Sequence, residues 1–302
     1  MKKLMVLFCC LWALVLVAGD IPAVQYDTLA FGDDASLEIM TWNLEHFPKH
    51  GAETIQYAAN VIFAVQPDIV ALQEIESDSA FTALVAQIQV LDRMHTWAGF
   101  RSNTNSWKQN LAYIYKSSEV FVTGIYQIYA DDELYHAPFP RKPLLMKARY
   151  HDTDLVLINN HYKAMSGEKN EVRRRQASQL LAEYIHTNLP HDNVLLMGDL
   201  NDILTDVPEK NVFSPFLDAP DQYRFADFAI AADSTANWSY PYWKHRGHID
   251  HILISNELFD EADNPGSEVR TVVIDDVMEG GENARYKYIT DHRPVVLKLA
   301  IP

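Results

Sequence analysis

The sequence has 302 residues, of which 48% are hydrophobic, and a formal net charge of -16. A chain of this length can bury one large core, and its acidic charge argues against nonspecific coating of nucleic acid. Both cysteines, Cys9 and Cys10, lie in the N-terminal apolar run. Once that run is removed, disulfides, thiolate nucleophiles and thiolate metal sites are excluded.

The N-terminus has the pattern of a signal peptide. Lys2 and Lys3 precede the apolar run 4–18, and small residues at Ala18 and Gly19 offer a cleavage point. The run is short for a bilayer span, although an uncleaved anchor is the alternative. We therefore expect residues 1–19 to be removed, leaving 20–302 as a single catalytic domain, monomeric, without a membrane span and exported to the periplasm or the extracellular space. Loss of the two lysines changes the formal net charge from -16 to -18.

The first part of the mature chain alternates strand and helix patterns. Period-2 and helical spacing of apolar residues, with Pro67 as a stop and Ser77 as a cap, distinguish the elements. In chain order they predict a strand over 36–43, a helix over 52–66, a buried strand over 69–72 that ends in Gln73-Glu74, and a helix from Ser77 through Ile88.

The remaining elements follow the same rules. We predict strands over 111–115, 120–129, 144–150 and 155–158, a helix over 171–186, a strand ending at Asp199, a loop-rich stretch over 202–246, and strands over 248–254 and 295–299. The helix carries Arg173 to Arg175, a basic run that is typical of a solvated face, with guidance of an anionic substrate as the alternative.

The segment 195–202 is a short apolar run that ends at Gly198 and then presents polar side chains. Residues two apart in an extended backbone face the same side, so Asp199 and Asn201 project together. Such a carboxylate and carboxamide can hold a water molecule and contact the ligands of a hard cation. Taken alone, the segment is more typical of a simple turn.

Most of the predicted strands end in a polar residue of a type used in catalysis. Functional groups at strand ends on a rigid scaffold are a common way of building an active site. The residues concerned are Asn43, Glu74, His161, Asp199 and Asn201, with Asp250 and His292 at the starts of two further strands. Each of them singly could instead cap a turn or satisfy a strand end.

Seven short motifs occur in order along nearly the whole mature chain: Thr-Trp-Asn-Leu-Glu, Leu-Gln-Glu, Arg-x-Pro, Asn-x-His, Gly-Asp-Leu-Asn, Ile-Asp-His-Ile-Leu-Ile-Ser and Thr-Asp-His-Arg-Pro. In this order they resemble the endonuclease/exonuclease/phosphatase superfamily, which includes deoxyribonuclease I, and in particular its exported members of bacterial type. The resemblance implies an α/β fold, a four-layer α/β sandwich of two mixed β-sheets packed face to face with helices outside.

The resemblance also implies a role for each motif residue. Asn43, Glu45, Glu74 and Asp291 would be metal ligands, and such oxygen donors suit Mg²⁺ or Mn²⁺. Asp250 would orient His292, Asp199 would orient or deprotonate the attacking water, and Asn201 would steady it. His161 would bind a phosphate oxygen or protonate the leaving group, and Arg141 would bind a phosphate of the substrate.

We therefore expect an exported, divalent-metal-dependent phosphodiesterase, with a nuclease as the leading choice and the nucleic acid held through a short local contact. A phosphatase or a phospholipase-type phosphodiesterase, acting on phosphoinositide or sphingomyelin, is the alternative on the same fold. The segment 198–202 also matches the Gly-Asp-x-x-Asp motif of dimetal phosphoesterases. That family needs an earlier Asp-x-His motif, and Asp92 and His95 are too far apart to form it. A noncatalytic binding module is disfavoured because none of the polar motif residues is missing. The cluster Trp238, Tyr240, Tyr242 and Trp243 is expected to serve packing rather than base stacking.

Overall fold

The computed structural model describes residues 26–103, 108–241 and 246–301. The predicted signal peptide, Cys9, Cys10, Tyr242 and Trp243 lie outside them. In these ranges the strands are β1 (Leu37–Phe47), β2 (Ile69–Ile75), β3 (Trp97–Arg101), β4 (Asn110–Lys116), β5 (Val120–Gln127), β6 (Leu144–Tyr150), β7 (Thr153–His161), β8 (Asn193–Asp199), β9 (Tyr223–Phe225), β10 (Asp250–Ser255), β11 (Glu268–Thr271) and β12 (Val295–Leu299).

The helices lie between these strands. They are α1 (Ala52–Val65), α2 (Asp78–Leu91), α3 (Asp132–Tyr135), α4 (Glu168–Asn188), α5 (Ser214–Leu217), α6 (Phe228–Ala232), α7 (Phe259–Ala262) and α8 (Gly281–Tyr288), with short 3-10 turns at Tyr26–Leu29, Asn256–Leu258 and Ile274–Val277. Over the part of the chain that the structure describes, no helix combines the length and apolar character needed to cross a membrane.

The strands form two six-stranded sheets, in the orders β11-β12-β1-β2-β4-β3 and β5-β6-β7-β8-β10-β9. Both sheets are mixed, because β1 pairs with β2 and β7 with β8 in parallel, whereas the other pairs are antiparallel. The predicted class is confirmed: two mixed sheets with helices around them, consistent with a four-layer sandwich.

Alternation along the central strands explains the layers. In β1, Leu37 and Ile39 enter the core between the sheets, where they share a cluster with Leu195 and Met197 of β8. The opposite side of β1 packs on α1 and α2 in a second cluster. The other face of β8 joins α4 in a third. The central strands are therefore covered on both faces, as the complete burial of β2 shows, whereas the edge strand β5 is partly exposed.

The sequence predictions agree with most of these elements. The Ser77 hydroxyl caps α2 by accepting a hydrogen bond from Ala80 N at 3.2 Å. The predicted helix over 171–186 is longer at both ends, as α4. The short strands β3, β9 and β11 and the helix α8 were not predicted, because runs of three to eight residues carry little periodic signal.

A buried carboxyl pair at the start of β1 gives a prediction for stability. Glu38 and Asp68 are both buried, and Lys116 Nζ donates to Asp68 Oδ1 at 3.0 Å. Burial and the nearby Asp68 raise the pKa of Glu38 to about 9. Because this folded-state pKa exceeds the unfolded value, the protonated form is favoured by folding, and its contribution fades as pH rises toward 9.

We expect Glu38→Gln to be close to wild type in stability near pH 5 and more stable than wild type near pH 9, by on the order of a few kcal/mol. Urea unfolding of both proteins from pH 5 to 9 measures the difference. A difference that stays constant with pH would contradict a raised pKa at Glu38.

Candidate active site

Strand register brings the predicted site residues of the second sheet side by side. Asp199, the last residue of β8, is the Cα partner of His161 on parallel β7 and of Asp250 on antiparallel β10. In the other sheet, Asn43 on β1 pairs with Gln73 on β2, immediately before Glu74. The functional side chains thus converge at one edge of the sandwich.

The two sheets meet at Asn43. Its Nδ2 donates to Asp199 Oδ2 at 2.9 Å and lies 3.4 Å from Glu74 Oε1. Asn43 and Asp199 are almost fully buried. The carboxamide therefore joins a carboxylate of each sheet, and its position depends on the sheet packing.

Gly198 allows the close approach of β7 and β8 at this point. Its φ is +143°, and a Cβ atom there would overlap the carbonyl oxygen of Asn160. Glycine adopts such a backbone without steric cost.

We expect Gly198→Ala to destabilise the protein by roughly 2–5 kcal/mol, through backbone strain and overpacking together. Urea unfolding measures the loss. Gly124→Ala is the matched control, because a Cβ atom on Gly124 in β5 meets no atom of the described residues within 4 Å. An equal, small effect of both substitutions would contradict the close approach.

Two histidines flank Asp199. His161 Nε2 lies 3.4 Å from Asp199 Oδ2 and 3.8 Å from Glu74 Oε1. His292 Nδ1 lies 2.8 Å from Asp250 Oδ2, and its Nε2 lies 3.7 Å from both Asp199 Oδ2 and Asp291 Oδ1. Asp250 thus orients the His292 ring so that Nε2 faces the carboxylates.

Burial and charge separate the protonation states of these groups. Burial raises the pKa of Asp199 to about 7, against the attraction of His292. Burial alone would lower the pKa of His292, but Asp250 and Asp199 raise it to about 10. Burial, with Arg141 nearby, holds the pKa of His161 well below its usual range. At neutral pH, His292 is charged, His161 is neutral and Asp199 is near its midpoint.

Two of the predicted metal ligands lie beside these groups: Glu74 Oε1 is 3.4 Å from Asn43 Nδ2, and Asp291 Oδ1 is 3.7 Å from His292 Nε2. Glu74 Oε2 accepts from the backbone N–H of His46 at 3.1 Å, leaving Oε1 toward Asn43. Asp291 Oδ1 is buried and lacks a hydrogen-bond partner among the described residues. Such oxygen donors fit a hard divalent cation.

The predicted ligands Asn43 and Glu45 already have partners, and Asn43 Oδ1 accepts from the backbone N–H of Glu45 at 2.9 Å. Glu45 Oε2 accepts from Lys49 Nζ at 2.5 Å and from the backbone N–H of Asp291 at 3.0 Å. Burial and Asp291 raise the pKa of Glu45. The ligand atoms of Asp199, Asp250 and His292 also lie within 4.8 Å of one another. Within that group, Asp250 and His292 already bond each other at 2.8 Å.

Arg141 and Asn201 lie around Tyr162. Arg141 is buried, its Nη2 donates to Gln109 Oε1 at 2.6 Å, and its Nη1 lies 3.4 Å from Tyr162 O. Burial lowers the pKa of Arg141, while Glu74 and Asp199 act to raise it. Asn201 donates from its backbone N–H to Asp199 Oδ1 at 3.0 Å and from Nδ2 to Tyr162 O at 3.3 Å.

The family model that describes the Endonuclease/Exonuclease/phosphatase family matches residues 40–292, which span this whole constellation. The chain belongs to this family. The sequence matches no curated protein.

Several solved structures have a similar fold. D. rerio TDP2 in complex with single-strand DNA product has 14% identity and a TM-score of 0.62, over 88% of this chain and 99% of that one. The human Nocturnin catalytic domain with bound sulfate has 16% identity and a TM-score of 0.59, over 88% and 93%. The endonuclease/exonuclease/phosphatase from Bacteroides vulgatus has 13% identity and a TM-score of 0.60, over 87% and 98%. At these identities the likeness concerns the fold.

Three residues support the family motifs through contacts that the sequence did not predict. Thr290 Oγ1 donates to Asn43 O at 2.8 Å and accepts from the backbone N–H of His292 at 3.0 Å. Gln109 holds Arg141, as described above. The ring of Tyr240 lies 4.8 Å from that of His292. Thr290 is part of the Thr-Asp-His motif, so its position was a usable signal, whereas Gln109 and Tyr240 carry none.

The basic run on α4 is only partly a solvated face, because Arg174 is buried while Arg173 and Arg175 are half-buried. Arg174 is buried and donates to Asp202 Oδ2 at 2.9 Å and to Lys163 O at 2.8 Å. Arg175 donates to Asn211 O at 2.8 Å, and Arg173 Nε to Ala137 O at 2.5 Å. These arginines brace loops of the second sheet.

The structure also shows the surroundings of Trp238 and of the Asp92–His95 pair. Trp238 is buried, and Arg293 lies over its ring at 3.5 Å, which agrees with a packing role. Asp92 and His95 bond each other at 2.9 Å, and Asp92 also accepts from Trp97 Nε1 at 2.8 Å. This pair therefore ties α2 to β3.

Proposed function

We propose that the protein is an exported, divalent-metal-dependent phosphodiesterase that acts on nucleic acid. The convergence of Asn43, Glu74 and the His161–Asp199–His292 group at one edge of the sandwich carries this proposal. Carboxylates beside oriented imidazoles provide what phosphodiester hydrolysis needs: a base for water and cationic donors for the phosphoryl oxygens.

The residues divide the chemistry according to their charge. Asp199, with a pKa of about 7, accepts the proton of the attacking water, and Asn43 holds its carboxylate in place. The charged His292 donates from Nε2 to a phosphoryl oxygen while Asp250 fixes the ring. His161 is neutral, so it acts as a hydrogen-bond donor to the phosphate. When the P–O bond breaks, the leaving oxygen takes its proton from the charged His292 or from water. Arg141 adds fixed positive charge.

Glu74, Asn43 and Asp291 would hold a Mg²⁺ or Mn²⁺ ion, and Glu45 would join them if Lys49 released its carboxylate. Such an ion would supply Lewis-acid polarisation of the phosphoryl oxygen. The donors are all oxygens, which agrees with a hard cation.

The choice of nucleic acid rests on the similarity to D. rerio TDP2, which was crystallised with single-strand DNA product. Export to the periplasm or the extracellular space rests on the signal-peptide pattern of residues 1–19, and a monomeric state is part of the proposal. Intact-mass measurement of secreted protein tests export, with a chain beginning near Asp20 as the expected product.

A panel assay tests the substrate class. Protein 20–302 with Mg²⁺ is incubated with single-stranded DNA, duplex DNA, RNA, sphingomyelin and inositol phosphates, with Asp199→Asn as the control for contaminating enzymes. We expect turnover of a nucleic acid that the control lacks. Turnover restricted to a lipid or an inositol phosphate would transfer the assignment to the alternative substrate class.

Salt dependence gives a further prediction. The mature charge near -18 repels a polyanion beyond about 8–10 Å, while closer contacts feel local groups such as Arg141 and Lys163. We expect cleavage of DNA at subsaturating concentration, with metal fixed, to be flat or gently peaked between about 10 and 300 mM salt, and binding to have a log-log slope of about -2 to -4. A steep, monotonic fall would contradict a short phosphate contact.

A further inference from the structure

Asp227, His248 and His251 form a cluster behind the active site. Their exposed fractions are 0%, 1% and 0%. Asp227 Oδ2 lies 3.1 Å from His248 Nε2 and 2.6 Å from His251 Nδ1. One carboxylate oxygen therefore serves two imidazole rings.

The other ring nitrogens are also engaged. His248 Nδ1 lies 2.6 Å from Asn237 O, and His251 Nε2 lies 2.9 Å from Asp202 O. A carbonyl oxygen and an ionised carboxylate can only accept hydrogen bonds. Each ring thus faces an acceptor at both nitrogens, and only an imidazolium donates from both.

The cluster also joins three segments that carry the active site. Asp227 Oδ1 accepts from the backbone N–H of Ile252, two residues after Asp250 on β10. His251 holds the Asp199–Asp202 turn through Asp202 O, and His248 holds the chain just before Ser239. The Ser239 hydroxyl in turn accepts from the backbone N–H of Asp250 at 3.2 Å.

We propose that His248 and His251 are two buried imidazolium ions sharing Asp227, and that Asp227 is a positioning residue that holds Asp250 and Asp199 in their active geometry. The positioning part rests on the function proposed above. Asp227 does not touch the substrate in this role. It acts through its hydrogen bonds to the backbone of β10 and, by way of His251, to the Asp199–Asp202 turn.

A bound metal ion is the competing account of three such ligands. The observed N···O separations of 2.6 and 3.1 Å are hydrogen-bond lengths. A structural zinc site needs four ligands, and this cluster offers one ligand atom from each of three residues. The second oxygen of Asp227 is not available as a fourth, because it accepts from Ile252 N. Protons rather than a cation therefore fit the space.

The charges around Asp227 and His248 agree with the assignment of these two residues. Burial alone would raise the pKa of Asp227, but His251 and His248 lower it. Burial would lower the pKa of His248, yet Asp227, the Asn237 carbonyl and the more distant Asp250 raise it. On the far side of His251, the Asp202 carboxylate is paired with Arg174.

Wild-type protein labelled with ¹⁵N in the histidine rings provides the first test, which needs no substrate. At pH 7 we expect both nitrogens of His248 and His251 to show protonated shifts and slowly exchanging N–H protons, assigned by the loss of each set in His248→Gln and His251→Gln. A lone-pair nitrogen in either ring would overturn the proposal. One equivalent of transition metal that survives dialysis against chelator would overturn it as well.

Asp227→Asn tests the positioning role on whichever substrate the panel identifies, well below the melting temperature of the variant. We expect kcat to fall roughly ten- to hundredfold, the size expected for a small misplacement of catalytic groups, with KM and the metal half-saturation within about twofold of wild type. Asp263→Asn, at an exposed aspartate paired with Arg224, is the matched control and should match wild type.

The outcomes separate this proposal from the assigned function. Wild-type protein without activity in the panel would count against the function and leave the ring protonation to be decided by the spectra. An active wild type with an unchanged kcat in Asp227→Asn, or with a change confined to KM, would overturn the positioning role. If Asp227→Asn does not fold, the spectra of the wild type still decide the imidazolium assignment.

Discussion

Asp199→Asn should lower kcat by about two to four orders of magnitude, because the variant keeps the shape of the side chain and loses the base. The Asn43 Nδ2 donor, 2.9 Å from Asp199 Oδ2, can still bond to the oxygen of the new amide. The fold should therefore survive, and circular dichroism should match that of wild type. Steady-state kinetics on the panel substrate measures the loss.

His292→Gln belongs to the same experiment. The substitution removes the imidazolium charge of His292, whose pKa Asp250 and Asp199 raise to about 10. We therefore expect kcat to fall by about two or more orders of magnitude. Because Asp199 and His292 act on the same phosphoryl group, kcat of the double variant should be little lower than that of the more severely impaired single variant.

Asp154→Asn is the matched control for these substitutions, because Asp154 is an exposed aspartate paired with Arg149. Its kinetics should equal those of wild type. Near-normal rates in Asp199→Asn or in His292→Gln would show that the catalytic groups lie elsewhere, and additive losses in the double variant would show that the two residues act independently.

Removal of divalent metal should abolish activity, and Mg²⁺ or Mn²⁺ should restore it, because the proposed ligand set contains only oxygen donors. Glu74→Gln should raise the metal concentration for half-maximal activity by roughly ten- to a hundredfold or more, because loss of even a residue that supports a metal ligand lowers metal affinity by about that factor. Equilibrium binding of Mn²⁺, followed by electron paramagnetic resonance, measures the same shift without turnover.

Glu76→Gln is the matched control for this experiment. Glu76 lies two residues beyond Glu74 and accepts from the His46 ring at 2.6 Å, so its substitution removes a neighbouring carboxylate outside the proposed ligand set. We expect its metal half-saturation to stay within about twofold of wild type. Full turnover after exhaustive chelation, or equal shifts in both variants, would contradict the placement of the ion at Glu74.

Most of the candidate site could be predicted from the sequence, because its residues stand at strand ends and strand ends are visible locally. Asn43, Glu74, His161 and Asp199 each close an apolar run, and the order of the motifs identified the family. Such patterns depend only on neighbours within a few residues.

Other features were decided by tertiary structure. Arg174 looks like a surface charge on a helix, yet it is buried against Asp202 and Lys163 because the chain folds back over α4. Lys49 could not be connected to Glu45 from composition, although it lies only four residues away, because the contact requires the turn that follows β1. Local periodicity cannot report contacts that depend on where a loop returns.

The sequence by itself determined most of the longer strands and helices, their alternation along the chain and the side-chain chemistry at the strand ends, since hydrophobic spacing and side-chain type are local properties. Only the tertiary structure decided that Asn43 bridges the two sheets, that His161 is neutral while His292 is charged, and that Asp227 joins two histidines more than twenty residues away. The physical reason is that burial and hydrogen-bond geometry set these protonation states and pairings, and both arise when distant segments pack together.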